Sequence, residues 1–358
     1  MNEAVVLVSS SEFALKSYPV RRTLEQRLID DLRFALRMAG FVNFTTEKHE
    51  GKIVIRGITD TALAARTIAR IFGVAYACPA TRIPCSMESI MSEIVSTASE
   101  TMSSGQSFAI RCHRSSRNSI STQEVARKGG SEVLNKLVGK NVRVNLSAPD
   151  VAISVDLSEK NAFVYTSKQR GPGGLPLSSQ WKMLAILDSG PLSLFAAYVM
   201  MRRGCLAQLL IPVHGTDDSS ALSKQLRLAR KLRSFVTREN YHAFIIELDK
   251  AFDDNSKQTT RMLALEIAQD HHFRGIILAD IVGQVAFHKR LAERSLELGV
   301  PVFQPLIGFD RDDLMELSRV FDIEQPEIEA AFPLGSDLSP ESSIGSTADF
   351  RVREVSIS

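Results

Sequence analysis

The chain has 358 residues, 44% of them hydrophobic and 23% charged, with a formal net charge of +2 at pH 7. That length exceeds one ordinary core and points to two or three domains, and the apolar content excludes a largely disordered chain. No window approaches the roughly 18 consecutive apolar residues of a membrane-spanning helix, and the start MNEAVVLVSSSEF lacks the basic opening of a secretory signal, so a cytoplasmic protein without a membrane partner is expected.

In chain order, the apolar run 5–8 predicts a strand, and residues 23–38 carry Leu24, Leu28, Leu32, Ala35 and Leu36 at helical spacing. Residues 51–56 alternate as a half-buried strand, and residues 60–72 repeat Ala and Leu at helical intervals behind Asp60, a candidate cap. Residues 1–76 therefore read as a small α+β unit. Pro79 and Pro84 predict a connector, followed by a helix over 86–102 and a strand from Ser107. An amphipathic helix over 122–137 and strands over 151–157 and 162–166 complete a second unit, 77–170. The segment Arg170-Gly-Pro-Gly-Gly-Leu-Pro reads as a linker.

Beyond the linker the rhythm changes to apolar strands alternating with helices: 183–187, 193–202, 206–213, 219–235, 243–248, 259–271, 275–279 and 284–298. Such alternation predicts a parallel, doubly wound sheet over 171–335. The Ser-rich stretch 336–358 is expected to be a flexible tail.

Charge is unevenly spread. Between Gly105 and Asn145 lie Arg111, Arg114, Arg117, Arg127, Lys128, Lys136, Lys140 and Arg143, against only Glu124 and Glu132. Cations at a strand-to-helix passage suit phosphate contacts, since each phosphate neutralised releases counterions and adds sequence-independent affinity. His113 stands among them as a phosphate-side contact, and Thr122 and Gln123 add polar donors of the kind that read a folded RNA through phosphates and 2′-hydroxyls. Few aromatics accompany the patch, which argues against stacking on single strands. The competing reading is a merely solvated face.

Cys78, Cys85, Cys112 and Cys205 form no CxxC pair, so no zinc or dithiol site is expected and buried small apolar roles are the simplest reading. Asp217 and Asp218, Asp253 and Asp254, and His271 and His272 are each adjacent in sequence, so their side chains diverge rather than converge on one ion. No metal ligand is assigned.

Several phrases carry a family resemblance. Glu12-Phe-Ala-Leu-Lys-Ser, Ser107-Phe-Ala-Ile-Arg-Cys-His-Arg-Ser, Ser121-Thr-Gln-Glu-Val-Ala-Arg, Ala148-Pro-Asp-Val and Ala162-Phe-Val-Tyr-Thr resemble, in order and spacing, the amino-terminal half of the tRNA 4-thiouridine synthetases, also called thiamine-biosynthesis sulfurtransferases. Gly171-Pro-Gly-Gly-Leu-Pro, Ala196-Ala-Tyr-Val-Met-Met-Arg-Arg-Gly, Gly283-Gln-Val-Ala and Pro305-Leu-Ile-Gly-Phe-Asp continue the likeness to about residue 325. The resemblance implies an α/β protein with a ferredoxin-like α+β domain, a THUMP domain and a Rossmann-like PP-loop domain. It implies binding of the acceptor end of tRNA by the THUMP domain, with Lys16 and Arg21 assisting, and a homodimer.

The family's nucleotide loop, Ser-Gly-Gly-x-Asp-Ser, closes backbone amides around phosphates at a helix N-terminus. Here the aligned residues, after Ile186 and Leu187, are Asp188-Ser-Gly-Pro-Leu-Ser193: Gly190 and Ser193 match, Asp188 and Ser189 replace Ser and Gly, and Pro191 removes a donor. Arg261, Asp280 and Gln284 match other nucleotide positions, whereas Ala279 replaces a Gly. No Cys follows Cys205, so the family's catalytic thiol after the Pro-Leu-Ile-Gly segment is missing and no catalytic residue is assigned. ATP with Mg2+ is the cofactor the resemblance implies where such a loop is intact. Three functions stay open: a catalytically degenerate tRNA-binding platform for a modification enzyme, an active ATP-dependent sulfurtransferase using an external sulfur donor, and a carboxyl-terminal sheet repurposed for protein docking.

Overall fold

The computed structural model describes residues 2–13, 16–115, 119–188, 190–214, 219–248, 256–281, 289–329 and 350–357. The chain divides into two units, Met1–Gly174 and Leu175–Ser358.

In the first unit, β1 (Glu3–Ser10), α1 (Tyr18–Met38), β2 (Thr45–His49), β3 (Lys52–Arg56), α2 (Thr61–Ile68) and β4 (Val74–Pro84) are followed by α3 (Met87–Thr101), β5 (Ser107–Arg114), α4 (Thr122–Lys136), β6 (Arg143–Val144), β7 (Val151–Leu157), β8 (Asn161–Tyr165) and β9 (Gln169–Arg170). The strands form one sheet in the order β2-β3-β1-β4-β8-β7-β5-β6, with β9 also on β4. The expected division at 76/77 thus falls inside β4, which pairs with β1 on one edge and with β8 and β9 on the other. The prolines expected to mark a connector lie in this strand. Pro79 is tolerated because β4 meets β9 at 76–77 and β8 only from Thr81, leaving that edge open between them. Ala75 O and Cys85 N bond on that edge, and by the two-residue alternation Pro79 faces it too, where a missing N–H breaks no ladder bond. The Gly-rich segment is likewise docked rather than free: Gly171 N donates to Ala75 O (2.9 Å) and Gly173 N to Val74 O (2.8 Å). A Cβ on Gly171 would lie 2.3 Å from Val74 O, so only glycine allows that approach.

Helices α3 and α4 cover one sheet face through Ile90, Ile94, Ala98, Val125 and Val133 against Phe108, Ile110, Val155 and Val164. The alternate residues Val5, Leu7, Val54, Cys78, Phe163 and Tyr165 form a second, strand-only cluster on the opposite face. The sheet coils over this cluster, and its two distant hairpin turns meet: His49 Nε2 is hydrogen-bonded to Ser158 Oγ (2.8 Å), and Glu159 N donates to Glu50 Oε1 (3.0 Å). Lys52 Nζ is ion-paired with the buried Asp156, whose Oδ2 also accepts from Tyr165 OH (3.3 Å).

The second unit runs β10 (Lys182–Ile186), α5 (Pro191–Arg202), β11 (Leu206–His214), α6 (Ser219–Arg233), β12 (His242–Leu248), α7 (Ser256–Asp270), β13 (Ile276–Ile277), α8 (Lys289–Leu298), β14 (Val302–Phe303), α9 (Arg311–Phe321), α10 (Gln325–Glu329) and β15 (Phe350–Ser356). Its sheet order is β14-β13-β10-β11-β12-β15, parallel as expected except for β15. Residues 350–356, within the stretch expected to be a flexible tail, pair antiparallel with all seven residues of β12, and Ile357 is buried. Their Phe-Arg-Val-Arg-Glu-Val alternation is a strand pattern that the neighbouring Ser-rich residues mask in the sequence. Among the described residues no helix is long and apolar enough to cross a membrane.

Candidate nucleic-acid interface and nucleotide loop

β5 leaves the core midway. Ser107 to Ile110 are buried, whereas Arg111, His113 and Arg114 are exposed. The Arg111 guanidinium donates to the Leu146 carbonyl, which fixes its direction, and among the described residues its other N–H groups remain for a phosphate. Residues 115–121 carry the chain to α4, whose cap is Ser121, with Oγ accepting from Glu124 N (3.4 Å). Gln123 and Arg127 are exposed in the first turns, and Thr122 is half-buried. Lys128 pairs with Glu124 at 2.7 Å, so its charge is partly spent within the helix. The strand end and the helix start thus converge on one end of this layer; Arg117 lies outside the described residues.

Lys16 is exposed just before α1. Arg21 is tied into a local network: its Nε donates to Glu25 Oε1 (2.7 Å), and Glu25 Oε2 accepts from Lys48 (3.0 Å). With Ser10, Gly51, Lys52 and Ile53 these residues line a cleft of about 80 Å³. Burial raises the Glu25 carboxyl, but hydrogen bonds and positive charge from Arg21 and Lys48 outweigh it, and the group lies below its ordinary range. The i,i+4 spacing of Arg21 and Glu25 was visible in the sequence; Lys48, 23 residues further on, was not.

In the second unit, α5 begins at Gly190 and Pro191, where the nucleotide loop was expected. The Asp188 carboxylate accepts the Gly190 N–H at 3.0 Å, and the buried Ser193 turns its hydroxyl back onto Gly190 O (2.7 Å). Ile186 is half-buried and Leu187 buried, with Leu187 N donating to Leu210 O (2.8 Å). A Cβ on Gly190 would stand 3.5 Å from Asp188 Oδ1, so carboxylate and backbone are in contact. Asp280 lies three residues beyond Ile277, and Asp188 three beyond Ala185, its register partner, so two carboxylates leave the same edge of the sheet. Asp280 is 7% exposed, ion-paired with Arg261 of α7, and accepts from Gln304 Nε2 at 2.7 Å. Two of the matched positions, Arg261 and Asp280, are therefore tied to each other, a pairing across 19 residues with no signature in the sequence. Ser189 and Gln284 lie outside the described residues.

All four cysteines are free thiols. Burial pushes Cys78 and Cys112 up to about 12 and raises Cys205, so these three stay protonated and poorly nucleophilic at neutral pH. Among the described residues no group of three His, Cys, Asp or Glu is arranged to hold a metal.

Three family descriptions match along the chain: the ThiI ferredoxin-like domain over residues 5–78, the THUMP domain over 85–167 and the thiamine biosynthesis protein ThiI over 178–331. A probable tRNA sulfurtransferase of Methanosarcina acetivorans is 30% identical over 92% of this chain and 87% of its own length. Its Methanosarcina mazei counterpart is 28% identical over 92% and 89%. The fold is shared with a crystal structure of a Pyrococcus horikoshii Ot3 protein (TM-score 0.68, 22% identity, 89% of this chain and 100% of that one). It is shared also with a 4-thiouridine synthetase crystallised with RNA and ATP (TM-score 0.69, 19% identity, 91% and 87%). The chain belongs to the tRNA sulfurtransferase family.

Proposed function

We propose that this chain binds tRNA at its acceptor end and serves tRNA modification as an RNA-binding platform, with a nucleotide site that no longer supports catalysis. Residues 77–170 supply the grip through Arg111, His113, Arg114, Gln123 and Arg127, and residues 1–76 assist through Lys16 and Arg21. Residues 171–335 carry the degenerate site. What supports the first half is the exposure of cations where β5 passes to α4, together with the THUMP match over the same segment. Fluorescence anisotropy with a tRNA transcript tests it. The Arg111→Ala/Arg114→Ala variant is expected to flatten the dependence of log K on log salt by about one unit per cation removed. An unchanged slope would remove these residues from the interface.

The single observation that carries the second half is the Asp188 carboxylate seated on the Gly190 amide. A polyphosphate needs that amide as a donor, and it would meet a like charge there, a repulsion on the order of 1 kcal/mol even in high dielectric. Pro191 supplies no N–H, and Arg261 is neutralised by Asp280. The residues present do not fit a triphosphate. Such a platform calls for a catalytic partner or a sulfur-donating enzyme.

A second reading has one observation in its favour: relatives matched over nearly their whole length are named tRNA sulfurtransferases. An active enzyme adenylates its RNA, so tRNA-dependent exchange of pyrophosphate into ATP, abolished by Arg261→Ala, separates the two readings.

A further inference from the structure

Helix α6 is unusually one-sided in charge. It contains Lys224, Arg227, Arg230, Lys231 and Arg233 and no acid. Two of these serve the fold. Lys231 Nζ donates to the carbonyls of Phe321 and Asp322 (2.8 Å to the latter), closing the end of α9, and Arg233 donates to Ile357 O (3.1 Å) and Val236 O (2.7 Å). The other three, Lys224, Arg227 and Arg230, are exposed, and among the described residues they make no ion pair.

Gln225, Leu228, Ala229 and Leu232 anchor the opposite side of α6 in the core. The three cations therefore follow one another at steps of three residues along the solvent side, over about 9 Å of helix axis. In α8 of the same unit, by contrast, Lys289 faces Glu293 and Arg294 pairs with Glu297. An unbalanced row repels itself, and like charges at this spacing weaken a helix. Among the described residues no acid offsets that on α6.

We propose that Lys224, Arg227 and Arg230 form a second RNA-contacting surface, on the carboxyl-terminal unit, that holds tRNA by its phosphates. The proposal rests on the RNA-binding reading above. Lysine and arginine in a row without interleaved aromatics suit a charged backbone rather than splayed bases. A second copy of the chain is the weaker occupant. The acids exposed on neighbouring α9 include Asp310 and Asp313, but these two are engaged in a capping box, each accepting a backbone N–H of the same turn, which leaves Asp312 and Glu316 for any partner.

The test measures tRNA affinity of the full chain by anisotropy from about 50 to 200 mM salt, where phosphate contacts register as the slope of log K on log salt. The Lys224→Ala/Arg227→Ala/Arg230→Ala variant is expected to be shallower by about 2 to 3, and Arg227→Ala alone by about 1. Exchange in kind, Lys224→Arg/Arg227→Lys/Arg230→Lys, is expected to keep the wild-type slope, which a purely structural role for these side chains does not predict. Wild-type binding with an unchanged slope in both alanine variants overturns this surface while leaving the amino-terminal grip intact. A slope left intact while sedimentation shows loss of self-association overturns it in favour of a second copy. Absence of wild-type tRNA binding removes the RNA-binding reading and this surface with it.

Discussion

Asp156 joins two strands that are far apart both in sequence and across the sheet. Its carboxylate, side chain 3% exposed, holds Lys52 at 16%, and accepts from Tyr165 OH. A buried pair adds little over an apolar one, but removing one partner strands the other without compensation. Asp156→Ala is therefore expected to lower stability by about 3 kcal/mol in denaturant unfolding followed by circular dichroism. The Lys52→Met/Asp156→Leu double variant should recover most of that loss. A loss below about 1 kcal/mol would mean that the pair does not brace the sheet. Glu25 makes a different prediction. Because its folded-state carboxyl lies below the ordinary value of about 4.3, its contribution is complete above that pH and is lost as pH falls through the folded value. Stability of the wild type should drop further than that of Glu25→Gln between about pH 5 and pH 3; parallel curves would contradict the Arg21–Glu25–Lys48 arrangement.

Elements were legible where pattern and cap agreed. Helix α4 was readable because Ser121 caps it and Val125 and Val133 recur on its buried side, and β10 to β12 because their apolar runs are too short for helices. Two elements were hidden by composition. β4 carries prolines that usually exclude a central strand, and only the gap between β8 and β9 makes Pro79 harmless. β15 follows a Ser-rich stretch, and its partner β12 lies about a hundred residues earlier, so nothing local announces the pairing. This strand covers the open edge of β12, and exposed edges invite association. Ending the chain at residue 349 is expected to lower the midpoint of thermal unfolding by several degrees and to promote aggregation, since Ile357 and seven paired residues are lost. Scanning calorimetry and light scattering read both effects. An unchanged midpoint would show that β15 is dispensable.

At the scale of the whole molecule, the identities of the site residues were legible but their partnerships were not. Arg111, His113 and Arg114 could be read as exposed from their place at the end of an apolar run. Asp188 could be read as misplaced, yet only the structure shows it bonded to Gly190 N–H, and only the structure pairs Arg261 with Asp280. Side chains that meet across turns and crossovers leave no periodic trace. The two candidate sites differ in charge: Arg111, His113 and Arg114 are exposed at the end of β5, whereas the carboxylates of Asp188 and Asp280 stand just beyond the ends of β10 and β13. The most direct measurement is calorimetric titration of the full chain with ATP and Mg2+, alone and after saturation with tRNA. tRNA is expected to bind, but no ATP heat is expected in either case up to about 1 mM, which corresponds to binding weaker than about −4 kcal/mol. A micromolar dissociation constant for ATP, in the free chain or in the tRNA complex, would contradict it.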